Sequence, residues 1–412
     1  MALEKILNAI KMTALVAGLA FIVGFGSCTR RGEIEEVKKA SDGKIAFISE
    51  EENKYRIVYT NKNGKEMSRF VYPAEDIPQA PLFPEVNIPS LSSIQLIEDG
   101  SLFCAGTISR YTTVARWVDN GREVGDEMSV GTERKGFLTK VSPSGEVLWT
   151  KSYEDPKLSQ GGELREDDLS NVNIQDSAII PNRGLILAGN NSDKGYLLRV
   201  DLQGNLKWKK EYNLNFDSQS KYNLMRIEKV CWSEPNSILF FGYYSNLGNK
   251  DDLILGKCDG NGDILWSKRL GIRGSSSWEG FPSHLSLEQS LDGGCIVAGS
   301  NESDHLIEKV NRNGEVEWKK NFDWDVRSVM PTQDGGYIAV GNMTVDKEKE
   351  WITALKINSN GDTQWQKAYK KPYVENRANC VTVVPDGYII GGTYLGKEML
   401  IKIDNHGEIK GF

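Results

Sequence analysis

A short cassette repeats along most of the chain, and its spacing constrains the fold more than any other feature. In the clearest copy, within residues 333–369, the segment QDGGYIAVGNM is followed by WITALKINSNGDTQWQKAY. Its second half places a tryptophan four residues after a turn glycine. That spacing occurs at Gly145 and Trp149, Gly204 and Trp208, Gly262 and Trp266, Gly314 and Trp318, and Gly361 and Trp365. Five matches at one spacing indicate a structural repeat.

A second spacing marks the first half of the cassette, where a turn residue is followed by a glycine five positions later. Gly336 and Gly341 show it, and so do Gly294 and Gly299. Divergent copies flank the clear ones. Gly407 keeps the turn, although Gly411 stands at the tryptophan position, and Ser68 stands there near the start. Together these copies predict seven repeats.

Each copy contains about four short runs rich in β-formers, bounded by the Gly, Asn and Asp residues that tight turns favour. Four strands per repeat, at a period of roughly 40 to 60 residues, are typical of β-propeller blades. The sequence therefore predicts an all-β fold, a β-propeller of seven four-stranded blades. An eighth, irregular blade within residues 107–173 is left open.

The Gly-to-Trp spacing resembles the tryptophan-docking turn of pyrroloquinoline-quinone-type propeller repeats, and the DGGYIAVG half resembles blades of bacterial surface lipoproteins. The resemblance covers most of residues 94–412. Quinone-dependent dehydrogenases of that superfamily carry a cofactor site with adjacent cysteines. No such pair occurs here, so no cofactor is expected. Some relatives act as scaffolds in outer-membrane assembly. Because the tryptophans recur at one blade position, we expect them to wedge between blades.

The N-terminus has the features of a lipoprotein signal peptide over residues 1–27. Lys5 and Lys11 precede a short apolar run, which is too short to favour a membrane span. The run ends in Phe25-Gly26-Ser27-Cys28, which resembles a bacterial lipobox with Phe in place of the usual Leu. We expect cleavage before Cys28 and acylation of its thiol, with palmitate among the chains. The predicted location is the cell envelope, anchored to a membrane, and the leader predicts the outer membrane of a Gram-negative bacterium.

Residues 28–40 are assigned to a lipidated tether and residues 41–412 to the propeller, with the alternative that 33–39 supplies the first strand. Four segments interrupt the pattern. Residues 73–93 hold five of the 13 prolines and predict a surface loop. The others are 107–135, the acidic segment 154–171, and 271–283.

The interruptions are predicted to lie on one face. If strands A to D run outward in each blade, A–B and C–D turns open on one end, the plain face. D–A and B–C connections open on the other, the long-loop face. Loops on a rigid scaffold commonly carry binding residues. The candidate ligand-binding residues are the loop aromatics and nearby cations Tyr111, Arg116, Trp117, Arg273 and Trp278.

Composition argues against several classes of function. The net charge of -7, with both signs mixed, does not favour nucleic acid, which requires a concentrated basic face. The three histidines lack zinc-binding spacing, and the calcium-like segment 259–263 has Leu270 where a bidentate Glu belongs. No catalytic, cofactor-binding or metal-binding residue is therefore assigned.

The leading hypothesis is a lipid-anchored binding module that meets an envelope protein or a glycan through its long-loop face, without enzymatic activity. One alternative is a propeller enzyme acting on glycans, a hydrolase or lyase, with carboxylates near the central channel. A cluster of two or three acidic residues at the long-loop mouth of the channel would favour it. The other alternative is a scaffold for outer-membrane assembly.

Overall fold

The architecture is entirely β throughout the described chain. The structure, a computed structural model, describes residues 34–39, 45–51, 54–60, 66–72, 87–113, 118–119, 122–123, 129–153, 172–191, 194–214, 223–233, 235–246, 252–273, 284–300, 305–346, 349–369, 376–394 and 397–409. Within these ranges no helix has the length and apolar character needed to cross a bilayer.

The first sheet, blade 1, is an antiparallel meander of four strands. It contains β1 (Ile34–Lys39), β2 (Ile45–Glu51), β3 (Lys54–Thr60) and β4 (Glu66–Tyr72), hydrogen-bonded in that order. β1 pairs with β2. The assignment of 28–40 to a tether is therefore wrong for 34–39, and the alternative of a first strand there is confirmed.

The remaining blades follow the same A-to-D order along the chain. Blade 2 holds β5 (Asn87–Leu96), β6 (Leu102–Thr113), β9 (Ser129–Val141) and β10 (Val147–Tyr153), with a hairpin β7 (Val118–Asp119) and β8 (Arg122–Glu123) between β6 and β9. Blade 3 holds β11 (Asn173–Ile180), β12 (Gly184–Asn191), β13 (Lys194–Val200) and β14 (Leu206–Tyr212), and blade 4 holds β15 (Asn223–Ser233), β16 (Ser237–Asn246), β17 (Asp252–Asp259) and β18 (Ile264–Arg273).

Blade 5 holds β19 (His284–Gln289), β20 (Cys295–Ser300), β21 (His305–Val310) and β22 (Val316–Phe322), and blade 6 holds β23 (Asp325–Pro331), β24 (Tyr337–Asp346), β25 (Lys349–Ile357) and β26 (Thr363–Tyr369). Blade 7 holds β27 (Asn376–Val384), β28 (Gly387–Tyr394) and β29 (Lys397–Ile403).

Within the described residues, six sheets have four strands, blade 7 has three and the hairpin β7–β8 has two, and the larger sheets form a β-propeller. The C-terminal segment joins blade 7 through one bridge between Ile403 and Ile409. β1 lies beside β27 and β28, which closes the ring. The described part of 107–173 contributes to blades 2 and 3 and forms the two-stranded hairpin β7–β8. It therefore contains no eighth four-stranded blade.

Three predicted loops are shorter than the sequence suggested. β5 begins at Asn87, β6 extends to Thr113, and β9 begins at Ser129. Pro89 is tolerated because β5 is the innermost strand of its sheet, and an edge strand can accommodate a residue without an N–H. β18 likewise continues to Arg273.

The hydrophobic core lies between adjacent blades. One cluster joins Ile186 and Leu197 of blade 3 to Ile227, Phe240 and Ile254 of blade 4. The second strand of a blade is buried on both faces, as in β20 with all six residues buried. Outermost strands alternate between exposed and half-buried residues. Stacked blades therefore bury surfaces that a single sheet would expose.

Each repeat tryptophan packs on the turn glycine of the following blade, which confirms the predicted wedge. A Cβ added at Gly361 would lie 2.8 Å from Cδ2 of Trp318. Gly361 also has φ of 88°, which L-residues rarely adopt. The Nε1–H of Trp318 donates to the carbonyl of Ser359 at 2.9 Å, so the indole is both packed and oriented.

Lysines at the end of the third strand are nearly buried beneath the plain face. Nζ of Lys309 lies 2.7 Å from Asp292, and Nζ of Lys356 lies 2.9 Å from Asp334. Burial alone would raise the pKa of Asp334, but hydrogen bonds from Thr332 and Lys356 lower that pKa to about 2. These ion pairs tie the A–B turn to the C–D turn of one blade.

Candidate functional site

The residues predicted to bind a ligand lie at the margin of the described structure. Arg116, Trp117 and Trp278 fall outside the described residues, as does Cys28. Tyr111 lies in β6 opposite Thr132, and Arg273 lies in β18 opposite Asp252. Both were expected in loops and instead extend strands, because the pairing with the neighbouring strand continues past the predicted boundary. Both positions are at the strand ends nearest the long-loop face.

The innermost strands surround the centre of the ring, and most of them carry one extra residue. Their register with the second strand shifts at a single point in blades 1, 2, 3, 4, 6 and 7. The extra residues with described burial include Gln175, Glu228 and Asn379, all nearly buried. A bulge of this kind re-aims a side chain. The repeat thus places polar side chains at the same level along the ring axis on the inner wall, which is the surface formed by the innermost strands.

In blades 2, 3 and 6, the polar residue after the second-strand glycine connects the blade to the next one. Oδ1 of Asn342 accepts from the amide of Ala378 at 2.8 Å, and Nδ2 donates to the Ala378 carbonyl at 3.2 Å. Thr107 and Asn190 accept from the amides of Ile174 and Ile227 in the same way. These side chains satisfy backbone groups that the bulge leaves without a strand partner.

The residue after the bulge makes a second connection between blades. Oδ2 of Asp176 accepts from the amide of Val230 at 3.0 Å. Oγ of Ser328 accepts from the amide of Val381 at 3.3 Å. The innermost strands all run in one direction and start at the long-loop face. Equivalent positions of neighbouring innermost strands therefore meet at successive blade interfaces.

Near that face, blades 5, 6 and 7 contribute a connected set of polar side chains. Arg327 donates from Nε to Oδ2 of Asp325 at 2.8 Å and from Nη1 to Oδ1 of Asn379 at 2.8 Å. The other oxygen of Asp325 lies 3.5 Å from Nδ1 of His284. Four side chains from three blades therefore meet where the strands begin.

The charges in this cluster compensate one another. Burial alone would raise the pKa of Asp325, but the hydrogen bonds and charges of His284 and Arg327 hold it well below its usual range. Burial lowers the pKa of His284, and Asp325 only partly opposes this. At neutral pH the cluster therefore contains an ionised carboxylate, a guanidinium and a neutral imidazole.

A second acidic residue at this end is also paired. Nε of Arg377, near the start of β27, donates to Oε2 of Glu350 at 2.7 Å. The lowered pKa of Asp325 keeps this carboxyl ionised, which makes it a poor proton donor. Asp325 thus offers charge and hydrogen-bond geometry rather than acid catalysis.

A different carboxyl environment exists on blades 3 and 4. Burial raises the pKa of Glu228, although Arg226, Lys229 and the amide of Asn190 oppose the shift. Asp176, on the neighbouring inner strand, also raises the pKa of Glu228 through its charge. Two carboxyls with different environments are a pattern found in acid–base sites.

Comparison with known proteins adds no functional assignment. No protein-family model matches the chain, and no curated protein matches its sequence. Among solved structures, a streptogramin B lyase is 12% identical with a TM-score of 0.49, over 93% of this chain and 98% of that one. BamB from Moraxella catarrhalis is 10% identical with a TM-score of 0.43, over 93% and 99% of the two chains. A protein of unknown function from Bacteroides caccae is 10% identical with a TM-score of 0.40, over 66% and 88%. Likenesses of this size say nothing about function.

The sequence interpretation missed the inner-wall residues altogether. One signal was present, because a polar residue follows the repeat glycine at Thr107, Asn190, Ser300 and Asn342. The cluster of His284, Asp325 and Arg327 had no local motif, since His284 comes from blade 5 and the other two residues come from blade 6. In the described ranges, no group of three or more His, Cys, Asp or Glu side chains is arranged to hold a metal ion.

Proposed function

We propose that this protein is a lipid-anchored binding module of the cell envelope, which meets a protein or glycan partner through its long-loop face. The anchor is the acylated thiol of Cys28. The location is the membrane surface, most simply the outer membrane of a Gram-negative bacterium. A propeller fold by itself is compatible with binding or with catalysis, so the proposal rests on how the two faces differ.

The observation that carries the proposal is the unequal length of the connections at the two ends. On the plain face, the turns between strands span five residues or fewer, as the strand bounds show. On the long-loop face, 73–86 joins β4 to β5, 114–128 lies between β6 and β9, and 154–172 joins β10 to β11. Long connections on a rigid ring are the usual place for recognition residues.

The contact residues we assign to this face are Tyr111, Arg116, Trp117, Arg273 and Trp278. Tyr, Trp and Arg contribute a large share of the energy in many interfaces, because they combine buried area with hydrogen bonding. Tyr111 and Arg273 lie at the ends of β6 and β18 that are closest to the long connections. This placement supports their role without requiring them to be in loops.

The state of the acidic residues supports binding rather than glycan hydrolysis at this end. Hydrolysis requires a carboxyl that keeps its proton near neutral pH. Among the described carboxylates of the long-loop end, Asp325 and Glu350 are paired with arginines, and the lowered pKa of Asp325 keeps that carboxyl ionised. Glu228, with its raised pKa beside Asp176, is the specific observation favouring a glycan hydrolase or lyase as the second candidate.

The test combines a pull-down from native envelope with a glycan array. The bait is the full-length lipidated protein, and the array uses residues 29–412. We expect Trp117→Ala and Trp278→Ala to lose most of the captured partner. The matched control is Asn313→Ala, an exposed residue in a plain-face turn. Capture that survives both tryptophan changes would refute the choice of residues.

Anchoring and catalysis are tested separately. Cys28→Ser should abolish incorporation of an alkyne-labelled palmitate, which the unaltered protein should show. Any glycan that binds the array should then be incubated with the unaltered protein and with Glu228→Gln. Turnover that disappears in Glu228→Gln would replace the binding module with the enzyme.

A further inference from the structure

The start of β1 limits how far the propeller can move from its anchor. β1 begins at Ile34, six residue steps after Cys28. Six steps of extended chain span at most about 20 Å. The sequence alone suggested a tether ending at residue 40, roughly twice that reach. The sheet pairing of 34–39 removes the second half of the tether.

The direction of β1 determines which face the tether leaves. Lys39 precedes the turn that leads to β2, so the end of β1 lies on the plain face. Ile34 therefore lies on the long-loop face, like the first residues of the other innermost strands. β1 is also the innermost strand of blade 1, so the tether leaves that face beside the central channel rather than at the rim.

These positions together prevent the plain face from reaching the membrane. An innermost strand such as β11, with eight residues, is about 25 Å long. To reach a membrane at the plain face around the outside of the ring, the tether would first cross the width of a blade, which is three strand spacings or about 14 Å. It would then follow the height of the ring, which gives a path of about 40 Å in all. Passage through the channel would also require about 25 Å. Both distances exceed the reach of the tether.

We infer that the long-loop face is held towards the membrane and that its partner is a membrane-embedded protein. The inference rests on the proposed acylation of Cys28. The gap between the propeller and the bilayer is then no larger than the reach of the tether. A partner on this face is therefore one whose exposed part lies close to the bilayer surface. The plain face points away from the membrane.

The described charges at this end favour a protein over lipid headgroups. Arg327 and Arg377 pair with Asp325 and Glu350. Lys194 and Arg269 pair with Glu211 and Asp252. Binding to an anionic lipid surface depends on clustered cations without acidic partners. Balanced pairs of this kind suit a protein surface that also carries both signs.

The orientation is tested with two labelled cysteines on the acylated protein in vesicles. Asp323→Cys places an environment-sensitive fluorophore on an exposed D–A connection of the long-loop face, and Asn313→Cys places it on an exposed plain-face turn. A protein without either substitution corrects for labelling of Cys231, the half-buried free thiol. A short-range headgroup quencher should act at least about twofold more strongly at 323, because the tether reach is shorter than the ring is high.

A spacer variant supplies the matched control. A Gly/Ser insert of about 20 residues after Gly32 adds roughly 25 Å of flexible reach, so the two labels should then be quenched alike. Equal quenching in the unaltered protein, with Cys28 acylated, would overturn the orientation and leave the proposed binding function intact. Absence of acylation at Cys28 would overturn both the anchor and this inference.

The partner is identified by photo-crosslinking from the same two positions in native membranes. A photoreactive residue at 323 should yield adducts with proteins that only detergent extracts, and the same residue at 313 should not. Adducts with lipid alone, or no adduct at 323, would overturn the embedded partner. A soluble protein captured at 323 would overturn it as well.

Discussion

Replacing Gly361 with alanine should destabilise the propeller through the tryptophan contact between blades 5 and 6. Gly361 has φ of 88°, and a Cβ there would lie 2.8 Å from Cδ2 of Trp318. Gly335 provides a matched control, with φ of 78° and no atom within 4 Å of an added Cβ. The two substitutions share the backbone strain and differ only in the clash.

The expected magnitudes follow from that difference. Left-handed backbone costs an L-residue about 1–2 kcal/mol, and the lower entropy of the unfolded chain returns about 0.4–1 kcal/mol. Gly335→Ala should therefore cost about 1 kcal/mol. In Gly361→Ala, the crowded indole adds about 1–3 kcal/mol, and loss of its hydrogen bond to Ser359 adds about 1 kcal/mol.

The assay is guanidinium chloride unfolding followed by circular dichroism, with midpoints compared at equal slope. Gly361→Ala should shift the midpoint to lower denaturant at least twice as far as Gly335→Ala, because the expected losses of unfolding free energy differ roughly three- to fivefold. Nearly equal shifts would refute the reasoning, because they would show that the turn conformation matters and the packing of Trp318 does not.

Three further outcomes follow from the inner wall. Asn342→Ala should cost about 2–4 kcal/mol, because two buried backbone groups of Ala378 lose their partner, and hydrogen exchange of the Ala378 amide should accelerate. His284→Gln should flatten the pH dependence of stability. Burial lowers the folded-state pKa of His284, so the neutral imidazole contributes its full stabilisation above the ordinary His pKa of about 6.5. That contribution is lost as the pH falls below this value. If the variant kept the same change of unfolding free energy between pH 7 and 5, the prediction would be wrong. Arg327→Met should cost about 3 kcal/mol, because Asp325 would keep its charge without its main partner, and adding Asp325→Asn should recover part of the loss; thermal melts of the single and double variants measure both.

Much of the architecture could be predicted because the repeat signal is local. A turn glycine followed by Trp318 or Trp365 marks one hairpin, and the hairpin needs no distant residue to form. The first strand at 34–39 was harder to assign, since the polar sequence IEEVKK has no apolar alternation. It is a strand because its backbone pairs with β2 and completes the four-stranded sheet of blade 1.

The boundaries of the long loops were less predictable. Pro89 suggests a loop when it is considered alone, and only the position of β5 at the sheet edge makes it compatible with a strand. Tyr111 follows the same logic, because continued pairing with β9 carries β6 further than composition indicates. Both errors come from information held in the neighbouring strand.

The inner-wall cluster could not be predicted, for a different reason. His284, Asp325, Arg327 and Asn379 are each unremarkable in their own repeat. His284 is about one blade away from Asp325 along the chain, and Arg327 is about one blade away from Asn379. They meet only because equal positions of successive blades converge on the axis. The ligand-binding assignment of Trp117 and Trp278 stays a prediction.

The tryptophan wedges also determine how the ring responds to mechanical load. Five successive blade contacts, from blade 2 to blade 7, each have a tryptophan seated on a glycine turn. In the sequence, Ser68 and Gly411 stand at the tryptophan positions on either side of blade 1, so neither contact of that blade can form the same clamp from the repeat position. With Cys28 acylated as proposed, blade 1 would also be the blade joined to the tether. Tension transmitted from a moving membrane would then enter the ring at its weakest seam and would detach blade 1 first, while the clamped blades stayed together as an open arc.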